Sequence, residues 1–581
     1  MGRTNSIKFY MPDADAVSLV VEGWDQPQPM KKNRKGTWRT KLPSSLPELH
    51  GQAYHFVIVH AGNTFTVADP LAHRTKRIEH GLKSFFADIN YQWRQEGFQT
   101  PPIQDIVIYE THLPALSRHT SSDVEHDSHR GTYVGAMSPS ILNHLQQLNV
   151  AVEFLPLHAS DQLLGQDWGY FTTSFFAMRE SYALHEDQVN QEVMALVDAL
   201  HLRGIPVILD VVFNHGAELW VKAWGKDIVY RKFANGDFCE GSGCGPTIKT
   251  EHPFIRDMII KTLQHLVSSY RFDGFRFDLG ALHDKQTMLE IDQRLPPHVY
   301  LIAEPWALGG TQWGKGDMAH DFANTRWAVW NDDFREPAKT FLIGEGDHHN
   351  RDRLMSAIKG NHIGHGGWTL RPQQCINYLS SHDGKTLADF VEGDKKRAFL
   401  GILMVLTAQG VPMLSEGSEL MFSKQGHDNS YNRPDLNQID WNYAQLHKDL
   451  VEAVAQLILL RHRFAHFHYT QQLRQRHGKT KRWDIDWIYP TGHPHKDNVN
   501  AIGFVLKPPP AWHRWRRMHH ALVILFNGSD QGTDFHLPRG KWRMLVDGNA
   551  IAVKQDGIRA VPPARGDYHV HPGTGVVLKR K

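Results

Sequence analysis

The chain has 581 residues, enough for two to four domains with large apolar cores. Its 64 basic and 62 acidic residues nearly cancel, which removes any general electrostatic reason to expect nucleic acid or an acidic membrane as a partner. Three cysteines exclude a disulfide framework, and no apolar run is long enough to span a bilayer. The first residues lead into a strand-like run without the charged and apolar regions of a secretory signal, so a soluble cytoplasmic protein is expected. The 38 histidines leave the charge balance sensitive to mild acid. Cys239 and Cys244 lie close in sequence but match no common zinc spacing and read as loop cysteines.

From residue 1 to about 95, short strands are predicted at Ile7 to Tyr10, Ala16 to Glu22, Thr37 to Lys41, Tyr54 to His60 and Thr64 to Ala68. Pro, Asp, Gly and Asn turns separate them, the rhythm of a small antiparallel β-sandwich. Trp24 and Trp38 have two open readings, as platforms for a sugar ring or as core and interdomain residues. Asp69-Pro70 closes the module, and the stretch that follows reads as a connector.

From about 96 to 470, β-branched runs alternate with helical patterns, which signals repeated β/α units. Strands are predicted at Ile106 to Thr111, Val150 to Pro156, Ile205 to Val212, Phe272 to Asp278, Tyr300 to Glu304, Ile376 to Ser381 and Val411 to Leu414. Amphipathic helices fit Gln191 to Leu202, Phe254 to Ser269 and Lys396 to Ala408. One further strand near Trp327 to Trp330 makes a (β/α)8 barrel the natural closure. In such a barrel, reactive groups sit at the C-terminal ends of strands, where loops vary freely. Polar residues fall there repeatedly: Asp210, Asn214 and His215, then Arg276 and Asp278, then Glu304, then His382 and Asp383. The long interval from Asp210 to Asp278 requires an excursion, and 216–252 supplies it as a small insertion walling one side of a cleft.

Within Arg271 to Ala281, Arg276 stands two residues before Asp278 and, at period two, projects to the same face. A cation there keeps the carboxylate ionised, as a nucleophile requires. A buried ion pair that only stabilises a strand end remains the alternative reading of this segment. Glu304 follows Leu301, Ile302 and Ala303 and precedes Pro305 and Trp306, a setting that raises a carboxyl pKa and lets it donate a proton near neutrality. One ionised and one protonated carboxyl on neighbouring strands suit a retaining glycosidase, whose pair stands about 5–5.5 Å apart.

From about 471 to 581, strands are predicted at Ala501 to Leu506, Ala521 to Phe526, Thr533 to Leu537, Trp542 to Val546 and Gly575 to Leu578. A second β-sandwich is expected. The basic and aromatic run from Trp512 to His520 reads as a solvated hairpin crown rather than a nucleic-acid site.

Several motifs resemble the α-amylase clan of glycoside hydrolases, and within it the isoamylase and glycogen-debranching branch. They are Asp210-Val-Val-Phe-Asn-His215, Gly274-Phe-Arg-Phe-Asp278-Leu, Glu304-Pro-Trp306 and His382-Asp383-Gly384, with Tyr109-Glu110-Thr-His112, Asp167-Trp-Gly-Tyr170 and Trp330-Asn-Asp-Asp-Phe-Arg335. The resemblance covers nearly the whole chain. It implies a multidomain α/β protein, a TIM barrel flanked by N-terminal and C-terminal β-sandwich domains. It also implies hydrolysis of α-1,6 branch linkages in glycogen-like glucans or malto-oligosaccharides. Asp278 is then the nucleophile, Glu304 the acid/base and Asp383 the third carboxylate, which holds sugar hydroxyls. His215 and His382 hydrogen-bond the sugar, Tyr170 stacks beneath it, Trp306 contacts substrate, and Asp210 and Arg276 support the site. Some clan members hold calcium, but no dense carboxylate loop demands a metal or other cofactor here.

The chain departs from the branch at Lys385, where an aromatic is usual, and it lacks the Asn-rich loop beyond. Gly384 runs almost directly toward the helix near Lys396. Ser415-Glu-Gly-Ser-Glu419 replaces a Gly-Asp-Glu ending, and Asn429 to Asp435 through Asp440-Trp441 resembles pullulanases. A pullulanase-like or transglycosylating enzyme, and a catalytically silent glucan-binding subunit, are the alternatives. Oligomeric state is not readable from these features.

Overall fold

The structure is a computed structural model describing residues 6–581 except 80, 162–164, 166, 310–316, 477–483, 491–497, 509–520 and 562–566. The Trp512 to His520 run lies outside the described residues. Eight parallel strands close into a barrel in chain order: β1 (Ile108–Thr111), β2 (Ala151–Phe154), β3 (Val207–Val211), β4 (Gly274–Phe277), β5 (Tyr300–Ala303), β6 (Ala328–Trp330), β7 (Cys375–Asn377) and β8 (Val411–Ser415). Every residue of these strands is buried, as expected where one face meets the barrel interior and the other meets helices. Ile108, Ile208, Ile302 and Ile376 pack together inside. Each such side chain contributes about 1.5–3 kcal/mol of burial free energy, an upper estimate. β4 opens on Gly274 because a Cβ there would lie 2.5 Å from that of Tyr300 on β5.

Helices α1 (Pro139–Leu148), α2 (Val189–His201), α3 (Pro253–Tyr270), α4 (Lys285–Arg294), α5 (Asp332–Leu342), α6 (Lys395–Thr407) and α7 (Lys448–Arg463) lie outside the barrel strands in sequence. α6 starts where it does because the Asp394 carboxylate accepts the amides of Lys396 and Arg397. The path from Gly384 to α6 is less direct than expected, since a one-turn helix at Leu387–Phe390 intervenes, capped by Thr386. A hairpin of His158–Ser160 and Thr172–Met178 follows β2 and carries Asp167 to Tyr170 between its strands. After β3 come two short helices, Glu218–Trp224 and Lys226–Val229, and a loop whose Gly241 carbonyl accepts the Leu308 amide at 3.0 Å.

Before the barrel, a three-stranded sheet of Ser6–Tyr10, Thr37–Lys41 and Lys31–Lys32 faces a six-stranded antiparallel sheet built around Ala53–His60. Phe9, Leu19, Trp38, Phe56 and Ile58 fill the space between. Trp38 is core, its indole donating to the Met11 carbonyl at 2.9 Å, while Trp24 is half-buried against the same core. The stretch after Asp69-Pro70 is not a connector. Thr75–Ile78 and Gly81–Phe85 form a hairpin that joins the sheet through Ala53–His60. Charged side chains in and just before it reach the barrel: Arg74 pairs with Glu180 at 2.6 Å, and Arg77 pairs with Glu218 at 2.6 Å and with Asp161. At the other end, among the described residues, seven antiparallel strands from Ile485–Ile488 to Thr574–Arg580 form a sheet, accompanied by the pair Thr533–His536 and Asp567–Val570. Arg397 of α6 fastens this module to the barrel by donating to the Gly528 carbonyl at 2.7 Å.

Several histidines are buried or half-buried as neutral rings. Burial holds His73, His158 and His283 down to about 4, and His112 and His265 to about 3. Neither ring nitrogen of His158 meets a hydrogen-bond partner among the described residues. Below the ordinary value of 6.5 the unfolded chain binds protons that these folded rings refuse, so stability is lost as pH falls from about 6.5 toward 4. Each ring contributes on the order of 1 kcal/mol per pH unit. Asp69 and Asp210, raised by burial to about 6, Glu304, raised to about 8, and Glu153, also raised by burial, oppose the trend but are outnumbered. Calorimetry at pH 7.0 and 5.0 should give a lower melting temperature at pH 5.0; an equal or higher one would refute the account.

Candidate active site

At the C-terminal mouth, the strand ladders continue one residue past β4 and β5. The Asp278 amide donates to the Val211 carbonyl and the Glu304 amide to the Phe277 carbonyl, each at 3.1 Å. The two carboxyl-bearing residues are thus fixed by backbone pairing before their loops depart. Arg276, fully buried, joins them. Its guanidinium donates to Asp210 at 2.5 Å, reaches Asp278 at 3.4 Å and forms a very close ion pair with Glu304. The closeness of Asp210 follows from register, since Asp210 and Arg276 are partners across the β3–β4 pair. Trp330 of β6 lies beneath the guanidinium, 4.2 Å from ring to cation.

Arg276 does reach Asp278, but its tighter partners are Asp210, its register neighbour on β3, and Glu304, which lies two residues beyond its register neighbour Ile302 on β5. Asp278 has a second anchor, the Asn214 side-chain amide, which donates to its Oδ2 at 2.6 Å. Asn214 also contacts Nδ1 of His215, which stands edge-on to Phe171. Burial holds His215 below its ordinary pKa, so it is a neutral ring at the site.

Glu304 is buried, and burial pushes its carboxyl up to about 8; Arg276 opposes the rise, while Asp278 and Asp383 add to it. Its Oε2 accepts the Leu279 amide at 2.8 Å. Leu279 adopts φ 42° and ψ 51°, a left-handed conformation costing a non-glycine residue roughly 1–2 kcal/mol. That strained turn aims the amide at Glu304 directly after Asp278.

On the opposite side, the Tyr170 hydroxyl donates to Asp210 at 2.6 Å and meets His382 Nε2 at 3.0 Å, with the two rings stacked 5.2 Å apart. Glu110 at the end of β1 holds His382 twice, accepting its backbone amide at 2.8 Å and contacting Nδ1 at 2.7 Å. Burial works against charge on His382, but Asp383 and Glu110 outweigh it and raise its pKa to about 9. Asp383 itself is exposed, 3.6 Å from His382 Nε2. Trp306 is half-buried, edge-on to Trp330.

The structure thus gathers Asp210, Arg276, Asp278, Glu304, Tyr170 and His382 into one network, sets His215 beside it through Asn214, and leaves Asp383 and Trp306 at its rim. Four contributors escaped the sequence-based list of site residues: Glu110, Asn214, Trp330 and Lys424. Glu110, Asn214 and Trp330 all belong to the motifs quoted above, so a signal existed for three of them. Lys424 lies in an irregular segment after β8, buried, its amine donating to the His382 carbonyl at 3.1 Å. Among the described residues, no three His, Cys, Asp or Glu side chains converge on a metal-sized site.

No protein-family model matches the chain. A glycogen debranching enzyme of Dickeya chrysanthemi is 30% identical over 545 residues, covering 82% of this chain and 78% of its own length. One from Klebsiella pneumoniae is 28% identical over 636 residues, covering 94% of this chain and 93% of its own. Among solved structures, apo pullulanase from Paenibacillus barengoltzii superposes with TM-score 0.82 at 25% identity, covering all of this chain and 93% of that one. Pullulanase from Bacillus acidopullulyticus shares the fold with TM-score 0.85 at 24% identity, covering 99% of this chain and 73% of its own. Both flanking modules and the closed barrel have counterparts there, so the expected fold stands. The chain belongs to the glycogen debranching enzymes, within the α-amylase clan of glycoside hydrolases.

Proposed function

We propose that the protein hydrolyses α-1,6 branch linkages of glycogen-like α-glucans by a retaining double displacement, with Asp278 as nucleophile, Glu304 as acid/base and Asp383 as the residue holding sugar hydroxyls. One observation carries the assignment: a single buried guanidinium spans the carboxyl groups of Asp278 and Glu304, while burial keeps Glu304 able to carry a proton at neutral pH. A bridge of that size favours the short separation of a retaining pair, about 5–5.5 Å, over the roughly 6.5–9.5 Å of an inverting one.

In the first step an Asp278 oxygen bonds to the anomeric carbon as the glycosidic bond breaks, and the Glu304 proton passes to the departing oxygen. In the second, Glu304, now a carboxylate, takes a proton from water as that water displaces Asp278. Asn214 and Arg276 hold Asp278 in position through both steps. Tyr170, His215, His382 and Trp306 offer the ring faces and polar edges that orient the sugar, and Asp210 anchors Arg276. A related pullulanase has been captured with maltohexaose and α-cyclodextrin, which supports a malto-oligosaccharide in this cleft. None of the three cysteines is in a disulfide, which supports a reducing, cytoplasmic compartment. The same reading assigns catalysis to a unit of about 96–470, with an insertion at 216–252, and takes 1–95 as a carbohydrate-binding-like β-sandwich and 471–581 as an all-β module.

Incubation with glycogen should generate new reducing ends. None appearing, with glucan still bound, would replace this reading with a silent glucan-binding subunit. The pullulanase-like fold also favours a second reading, cleavage of pullulan. Product lengths from glycogen, amylopectin and pullulan measured side by side distinguish the two, and products longer than any substrate branch would reveal transglycosylation.

A further inference from the structure

On the outer face of the N-terminal three-stranded sheet, three cations stand in one row. Lys8 is the register partner of Arg39 on one side, and Lys31 is its partner on the other. All three are exposed, and alternation along Thr37–Lys41 turns Lys41 to the same face while burying Trp38 and Thr40. Like charges directly opposite each other across strands are destabilising, so the row opposes the folding of its own sheet. The chain's net charge is only +2, which makes this concentration local rather than a general property of the surface. The row forms the floor of a groove of about 890 Å³, and Lys32 together with Lys261 of α3, from the barrel side, brings the cations lining it to six. No carboxylate lines the groove among the described residues; Lys261 pairs with Asp257 at 2.6 Å, a carboxylate that Arg294 shares at 3.2 Å.

We propose that this groove is a binding site for a ligand carrying two or more phosphate groups, separate from the catalytic mouth. Three strands about 4.8 Å apart spread Lys8, Arg39 and Lys31 over roughly 10 Å, more than one phosphate spans. Arg39 supplies a planar fork suited to phosphate oxygens, and the lysines supply mobile point charges. Arg39 is steadied for this by Ser6, whose hydroxyl accepts from Nε at 2.9 Å and from Nη2 at 2.7 Å. The volume suits a ligand of ordinary small-molecule size. The same chemistry reaches the groove from two sources, a free condensed phosphate or phosphate monoesters carried on a glucan.

Titration calorimetry of the full chain with tripolyphosphate tests the site, with orthophosphate and maltohexaose as controls. Tripolyphosphate should bind at least tenfold more tightly than orthophosphate, and the triple variant Lys8→Gln/Lys31→Gln/Arg39→Gln should lose at least tenfold of that affinity. Because the substituted side chains are exposed, the variant should melt no lower than the parent and keep its activity on glycogen. Retention on phosphate-bearing amylopectin, compared with the same polymer after phosphatase treatment, separates the sources: a loss of retention seen only in the parent assigns glucan esters, and equal retention with tripolyphosphate binding intact assigns a free ligand. Absence of tripolyphosphate binding, or equal binding by parent and variant, overturns the proposal. Neither result depends on whether the protein debranches glycogen.

Discussion

Glu304→Gln should lower turnover of glycogen by about 10²–10⁴-fold, the usual contribution of a positioned general acid. The amide keeps the shape and the bond to the Leu279 amide but has no proton to give the departing oxygen. The loss should shrink sharply on an α-glucosyl fluoride, whose leaving group departs without protonation. The parent's kcat/KM should fall as pH rises through about 8, where the buried carboxyl of Glu304 loses its proton. On the fluoride that limb should disappear from the glycosylation step. A variant within tenfold of the parent on glycogen, with the limb unmoved, would remove Glu304 from the acid role.

Arg276→Met should both abolish activity and destabilise the barrel. The side chain is fully buried between Asp210, Asp278 and Glu304, and removing one partner from a buried ion pair costs about 3–5 kcal/mol through the charges left behind. The sign of the pH dependence follows. Burial already raises the Asp210 and Glu304 carboxyls against the pull of Arg276; without the cation both rise further, so the folded variant takes up more protons than its unfolded chain as pH falls. Its deficit relative to the parent should therefore narrow from pH 8 to pH 5 in chemical denaturation. Arg276→Lys keeps a charge without the fork and should fold better than the Met variant while remaining poorly active, since one ammonium cannot reach all three carboxyls with the same geometry. Parent-like denaturation of Arg276→Met would show that the network contributes nothing to folding.

The barrel was legible because its strands are buried on both faces and read as near-continuous apolar runs, and because carboxylates, Glu153 within β2 apart, gather toward their C-terminal ends. β6 was the hardest, three residues long and recognisable only by the need for an eighth strand. The hairpin at Thr75–Ile78 and Gly81–Phe85 was missed for a different reason. Three of the four residues of its first strand point to solvent, so no alternation marks it, and what holds it is pairing to Ala53–His60 and ion pairs to residues about a hundred positions away. Lys424 could not be found because nothing local distinguishes a lysine that donates to a carbonyl under the site from one in water.

The amino-acid sequence alone determined the fold class, the order of the barrel strands and the candidates Asp278 and Glu304, since these depend on local apolar periodicity and on motifs read along the chain. Only the tertiary structure decided how the charges are shared. Arg276 belongs first to Asp210 and Glu304, His382 belongs to Glu110, and Lys8, Arg39 and Lys31 form one cationic row. Each of these pairings joins separate strands, so its energy depends on register and closure, quantities that no window of sequence contains.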